Sequence, residues 1–263
     1  MTKILFLGDI FGRPGRQVVR ETLPGLVGRQ DIDLTVGNGE NASGGLGLAP
    51  EEAGELFSFG LAALTGGNHT FRHRSLESMM ETDSRLVRPA NLPEPCPGRG
   101  WTLVETPGGA RVGVGNIMGR VFLSGSLDCP FRTADRILKE MRAAGADITI
   151  IDVHAEATSE KKALAWHLDG RLGALLGTHT HIPTADAQIL PGGLAYMTDV
   201  GMCGPHQSVI GMSRESVLPT FLTGRPHRFD PAAKGARLNG VIVEFDAKGQ
   251  AAAIEPVDLA GRK

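Results

Sequence analysis

Short apolar runs alternate along the chain with segments whose apolar residues recur every three or four positions, the pattern of sheets covered by helices. The run KILFLGD (3–9) predicts a buried strand. Pro14 suits a first helical position, so a helix is expected from about that residue, ended or kinked by Pro24. DLTVGN (33–38) predicts a second strand, and a loop through Gly44, Gly45 and Gly47 leads to a proline-started helix, PEEAGELFSF (50–59). LAALTGGN (61–68) predicts a third strand, and a short helix follows near Ser75 to Thr82. WTLVETPGGARVGVGNI (101–117) reads as a hairpin turning at Pro107-Gly108-Gly109. A helix is expected from Thr133 to Ala144, a fully buried strand at ADITIIDVH (146–154), a helix from about Ser159 and another strand at LGALLGTH (172–179). The last part is β-rich: TADAQIL and LAYMTDV flank Pro191-Gly192-Gly193, and GVIVEFD and AAAIEPV flank Lys248-Gly249. With no linker or repeat in view, the expectation is one α/β domain over residues 1–263, two β-layers between helices, with strand order left open.

Composition narrows the partners. The net charge is only −2 with 21% charged residues, so no long nucleic acid is expected, whereas a small nucleotide is compatible. Cys96, Cys129 and Cys203 are far apart and lack C-x-x-C spacing, which argues against a disulfide framework or a thiolate zinc site and fits a reducing, cytoplasmic setting. The apolar run Ile4 to Leu7 is too short for a signal-peptide core and no later run approaches a membrane span, so no membrane partner is expected.

Chemistry collects at the strand ends. Asp9 ends the first strand, Glu40 and Asn41 follow the second, Asn68 and His69 the third, His154 ends ITIIDV, and His179 and His181 follow LGALLG. Any one of these residues alone reads as a turn or cap; their repetition at strand ends, where α/β sites assemble, points to one site. In His179-Thr180-His181 the two imidazoles are two residues apart, which on an extended segment puts them on one side and lets them reach a common centre. Mixed N and O donors suit manganese, iron or zinc better than calcium or magnesium. The candidates are too many for one tetrahedral ion and enough for two ions sharing a carboxylate, for which Glu40 is the choice.

These residues also carry a family resemblance. Gly8-Asp9, Gly67-Asn68-His69, Val153-His154 and GTHTH (177–181) resemble the calcineurin-like metallophosphoesterases. The segments GDIFGRPGR, NGENASGG, GGNHTF, RPANLP, DVHAEATSEK, GTHTHIPTAD and TDVGMCGP are similar to the YmdB-like branch over nearly the whole chain. Phe11 stands where the wider superfamily has the histidine of D-x-H, and Gly39-Glu40-Asn41 replaces G-D-x-x-D-R, so Glu40 takes the place of the bridging aspartate. The resemblance implies a four-layer αββα sandwich and two ions, iron or manganese, with zinc as a third candidate. One would be held by Asp9, Glu40, Asn41 and His181, the other by Glu40, Asn68, His154 and His179. It implies a phosphodiesterase acting on small diesters such as 2′,3′-cyclic nucleotides, and is compatible with a homo-oligomer.

The expected mechanism is attack on phosphorus by a hydroxide bridging the two ions, with His69 as the general acid for the leaving alkoxide. The competing reading of His69 is a hydrogen bond to a carboxylate from outside the ligand set. Arg13, Arg16 and His206 are weaker candidates for substrate contact, and Asn38 is expected only to support the turn before Glu40. Two other functional classes are weighed: a metal-dependent amidohydrolase, disfavoured because H-x-H comes late in the chain, and a nucleotide- or protein-binding regulator that keeps the fold.

Overall fold

In β1 (Thr2–Leu7) of the computed structural model, which describes residues 1–261, Ile4 and Phe6 join one buried cluster and Leu5 and Leu7 another. A strand whose alternate side chains both meet apolar neighbours has to lie between two layers. The chain continues through β2 (Asp9–Ile10), α1 (Gly12–Gln30), β3 (Leu34–Asn38), α2 (Pro50–Ser58), β4 (Ala63–Thr65), α3 (Ser75–Thr82) and β5 (Leu86–Val87). Then come β6 (Trp101–Glu105), β7 (Arg111–Met118), α4 (Pro130–Ala143), β8 (Ile148–His154), α5 (Thr158–Leu168) and β9 (Ala174–Thr178). The remainder is β10 (Gln188–Ile189), β11 (Ala195–Met197), β12 (Met202–Pro205), α6 (Arg214–Thr223), β13 (Ala236–Phe245) and β14 (Ala251–Ala260).

Two sheets result. One runs β2-β12-β13-β1-β3-β4-β5, with β14 paired to β13, and the other runs β10-β11-β9-β8-β7-β6. In the first, β1, β3, β4 and β5 are mutually parallel; in the second, β7, β8, β9 and β11 are. Ile4, Phe6, Leu34 and Val36 meet Ile148, Ile150, Ala174 and Leu176 between the sheets. Val18 and Leu23 of α1, Leu56 of α2 and Met80 of α3 cover the outer face of the first sheet. Ile137 and Met141 of α4 and Leu164 and Leu168 of α5 cover the outer face of the second against Ile151 and Leu175. These layers make the αββα sandwich that the pattern and the resemblance both predict.

Two helices differ from expectation. The first helix continues through Pro24 to Gln30, because Pro24 and Arg20 both face solvent: the carbonyl that loses its helical donor is open to water while the buried stripe Val18, Leu23, Leu26 stays continuous. α6 had no signature to read, since Val217 is its only buried residue and Pro219 lies inside it. Ser213 caps it, accepting from the Ser216 amide at 3.2 Å, and Gly224 ends it in the left-handed region.

Candidate metal centre

The parallel strands bring their carboxyl ends to one edge, and each predicted ligand leaves the chain there. Asp9, Glu40, Asn41, His154 and His181 are buried, His179 is half-buried, and Asn68 is exposed. Glu40, His154 and His179 each offer a donor atom within 4.8 Å of the others. Around His154 Nε2 lie Asn68 Oδ1 at 2.9 Å, Glu40 Oε1 at 3.0 Å and His179 Nδ1 at 3.1 Å. Beside this group, the Asn41 amide nitrogen lies 3.4 Å from Asp9 Oδ1, 3.4 Å from Glu40 Oε1 and 3.2 Å from His181 Nε2. All seven residues therefore converge as two adjoining clusters, with Glu40 in both. Gly67 permits it: a Cβ there would lie 2.2 Å from Glu40 Oε2 and 2.4 Å from the His154 ring.

The structure corrects one local expectation. His179 and His181 do not sit on an extended segment facing one centre; both have positive φ, 96° and 64°. The chain turns at each, so that His179 joins His154 while His181 joins Asp9. Such backbone costs roughly 1–3 kcal/mol per residue and persists only when over-determined by its surroundings. Here the His179 amide donates to Asp9 Oδ2 at 3.0 Å, and the Thr180 amide donates to Asp199 Oδ2 at 3.0 Å.

Behind the ligands a set of partners fixes the imidazole tautomers. Thr178 Oγ1 donates to Asp152 Oδ1 at 2.7 Å, so it accepts from His154 Nδ1 at 2.8 Å and directs Nε2 toward the cluster. The carbonyl of Ile210 accepts from His181 Nδ1 at 2.8 Å, leaving its Nε2 facing Asp9 and Asn41. His179 gives Nε2 to Glu156 at 3.0 Å and turns Nδ1 inward. Three imidazole nitrogens directed inward beside two carboxylates fit a pair of metal ions.

The electrostatics agree with that fit. Burial opposes ionisation of Asp9 and Glu40, but the facing imidazoles and backbone amides outweigh it and hold both carboxyls below their usual values. Burial disfavours the His154 cation, yet Glu40, Asp9 and Asp152 together push its pKa up to about 9. Burial, then the His154 charge, lowers His179 to about 4. The two carboxylates are thus balanced by the facing imidazoles, whose protons a bound metal ion would replace.

Several residues have roles that the chain alone did not disclose. Asn38 does more than shape a turn: it is buried, donates to Asp152 Oδ2 and the Gly66 carbonyl, each at 2.9 Å, and accepts from the Glu40 amide at 3.1 Å. Lys161, fully buried, donates to the Thr178 carbonyl at 2.6 Å and to Asp199 Oδ2 at 3.0 Å directly beneath the H-x-H turn. The available signal was a lysine on the buried stripe of α5 with Leu164, Ala165 and Leu168. Phe11 packs between Gly45 and Gly211, each too close to its ring to carry a Cβ, with the ring edge-on to His181 at 5.8 Å.

The weaker candidates lie apart from the cluster. Arg16 is occupied by Glu55, Glu52 and the Ala42 carbonyl, tying α1 to α2. Arg13 is exposed beside Gln17 and Glu21. His206 Nε2 lies 3.1 Å from the Met202 carbonyl. His69 borders the site: its amide donates to Glu40 Oε2 at 3.1 Å and its Nε2 lies 3.1 Å from Asn68 Nδ2. Cys96, Cys129 and Cys203 are free thiols, and among the described residues no helix is long and apolar enough to cross a membrane.

Comparison with known proteins places this arrangement. Residues 5–257 match the family profile described as YmdB-like protein. The chain is 45% identical over 244 residues to a Bacillus subtilis (strain 168) protein named 2′,3′-cyclic-nucleotide 2′-phosphodiesterase, covering 93% of this chain and 91% of that one. A crystal structure of a hypothetical protein from Thermus thermophilus superposes with a TM-score of 0.92 at 41% identity, covering 99% of this chain and all (100%) of that one. A 5′-nucleotidase precursor from the same organism, at 16% identity and a TM-score of 0.58 over 99% of this chain and 54% of its own, shares the fold. The sandwich is therefore of the calcineurin-like metallophosphoesterase type.

Proposed function

The chain belongs to the YmdB-like protein family, and from that premise we propose that it is a metal-dependent phosphodiesterase acting on small diesters such as 2′,3′-cyclic nucleotides. One observation carries this reading: Thr178, Ile210 and Glu156 hold the outer nitrogens of His154, His181 and His179, so that three inner nitrogens are presented beside Glu40 and Asp9. Structural polar turns have no need of such backing. The name of the Bacillus subtilis relative supports the substrate class.

In this reading Asp9, Glu40, Asn41 and His181 hold one ion, and Glu40, Asn68, His154 and His179 the other. Iron or manganese suits the mixed donor set, with zinc as the third candidate. Ions bound there would act as Lewis acids toward phosphoryl oxygens and lower the pKa of water. Glu40 serves both clusters because its backbone is held by Asn38 and Oε2 by the His69 amide. Turning the Asn41 amide over exchanges Nδ2 for Oδ1 against the Asp9 cluster and supplies an oxygen ligand. His69, at the mouth beside Asn68, delivers a proton to the leaving alkoxide oxygen.

Hydrolysis of bis-p-nitrophenyl phosphate and of 2′,3′-cyclic AMP tests the reading. Chelator-treated protein should be inactive and recover on addition of manganese or iron. Undiminished activity after chelation overturns it, and an inactive metal-loaded protein that still binds nucleotide favours the regulator reading.

A further inference from the structure

Next to the metal centre lies a cleft of about 300 Å³ with two unlike ends. Glu40, Asn41, His69, His179 and His181 form the polar end. The other end is a wall of Ile210, Met212, Val217, Phe221 and Phe229, floored by Phe11. Phe221 is 77% exposed and Phe229 42%, so two flat apolar rings stand open beside the Glu40 cluster. Exposing a large aromatic to water forfeits most of its burial energy, which asks for an occupant.

Hydrogen bonds tie the wall to the metal end. His181 donates through Nδ1 to the carbonyl of Ile210, inside the turn closed by the Val209 amide to the Met212 carbonyl at 2.8 Å. That turn is tied to the Phe229 segment, since the Ala232 amide donates to the Gly211 carbonyl at 2.8 Å. α6 joins the same unit, because the Ser213 amide donates to the Asp230 carbonyl at 2.7 Å and Ser216 Oγ accepts from the Asp230 amide at 3.1 Å. A ligand bridging the two ends thus meets a prearranged surface.

We propose that this wall is a nucleobase subsite: with the phosphodiester at the Glu40 cluster, the base lies against the faces of Phe221 and Phe229. The proposal rests on the phosphodiesterase reading and adds to it the group recognised beyond phosphate. The volume suits one small ligand. A continuous path from carboxylate and imidazole donors to aromatic faces matches a molecule that is anionic at one end and flat and apolar at the other. Apart from Thr220, whose hydroxyl is shielded from solvent, the wall side chains carry no hydrogen-bonding group, so the base is read by its face and not by its edge. Cyclic nucleotides of different bases should therefore be turned over with similar efficiency.

The test compares 2′,3′-cyclic AMP with glycerol 1,2-cyclic phosphate, a cyclic diester without a base, using metal-loaded wild type, Phe221→Ala, Phe229→Ala and Leu222→Ala. Leu222 is 81% exposed on the same helix but does not line the cleft. Each Phe variant should raise KM for the cyclic nucleotide about tenfold or more, the scale of a lost base-aromatic stack, with kcat little changed. KM for the base-free diester should stay at the wild-type value in every variant, and Leu222→Ala should match wild type on both substrates. Phe variants that leave both substrates unchanged, or impair both equally, overturn the subsite while the phosphodiesterase reading stands. An altered oligomeric state in Phe221→Ala and Leu222→Ala, with unchanged KM, likewise overturns it and assigns α6 to contact with a second copy. Wild-type protein that cleaves neither diester overturns both readings.

Discussion

Glu40 is the residue on which the two ligand clusters depend, with Oε1 facing His154 and Asn41 and Oε2 held by the His69 amide. Glu40→Gln keeps the volume but replaces one oxygen by an amide NH2 that cannot ligate, and elemental analysis should find both ions lost. His69→Ala should retain both ions and lower turnover by about 10²–10⁴, the usual worth of a general acid; metal loss in that variant would assign the His69 side chain to holding Asn68 instead, since its amide contact to Glu40 is kept. Asn38 illustrates what a residue type conceals. As a turn residue it should be replaceable, yet its amide joins Asp152 of the other sheet and its oxygen receives the Glu40 amide. Asn38→Ala is therefore expected to weaken metal affinity by about 10- to 100-fold, as loss of a group that orients a ligand does. Isothermal titration with manganese measures it.

At the scale of elements, the turn after β9 carries the most strain, with two histidines at positive φ above a buried ion pair. Lys161 from α5 and Asp199 from the segment after β11 hold this turn through the Thr178 carbonyl and the Thr180 amide. Lys161→Met leaves a buried carboxylate without its counter-charge, which should destabilise the protein by roughly 3–5 kcal/mol in urea unfolding. Strands and amphipathic helices were legible because their burial repeats with their own period; α3, for example, spans Ser75–Thr82 as the pattern predicts. α6 and the two-residue strands β2 and β5 were not, since a surface helix with one buried residue and strands too short for alternation carry no periodic signal.

Across the whole molecule, the centre is assembled from both sheets: Asp9, Glu40 and Asn68 come from ends in the first and His154 and His179 from ends in the second. In the proposed reading, ions held there would link the two halves of the sandwich and bind only the folded chain. Metal removal should accordingly lower Tm, and a hundredfold excess of metal over its Kd should restore about 2.7 kcal/mol. Calorimetry before and after chelation checks this, and a Tm indifferent to metal would place the ions outside the junction.

The layers and the candidate ligands follow from the chain alone, because apolar alternation, turn glycines and residue type at strand ends are local properties. Tertiary structure decided how those residues act. The split of His179 and His181 between two clusters, implied by the resemblance and not by their spacing, is made by positive φ at both. The strut from Asn38 to Asp152, the Lys161–Asp199 pair and the aromatic wall beside the site join residues distant in the chain, 114 positions apart in the first case. Such contacts are set by packing between elements, and the turn from Asn38 to Asn41 acquires its full meaning only where the two sheets meet.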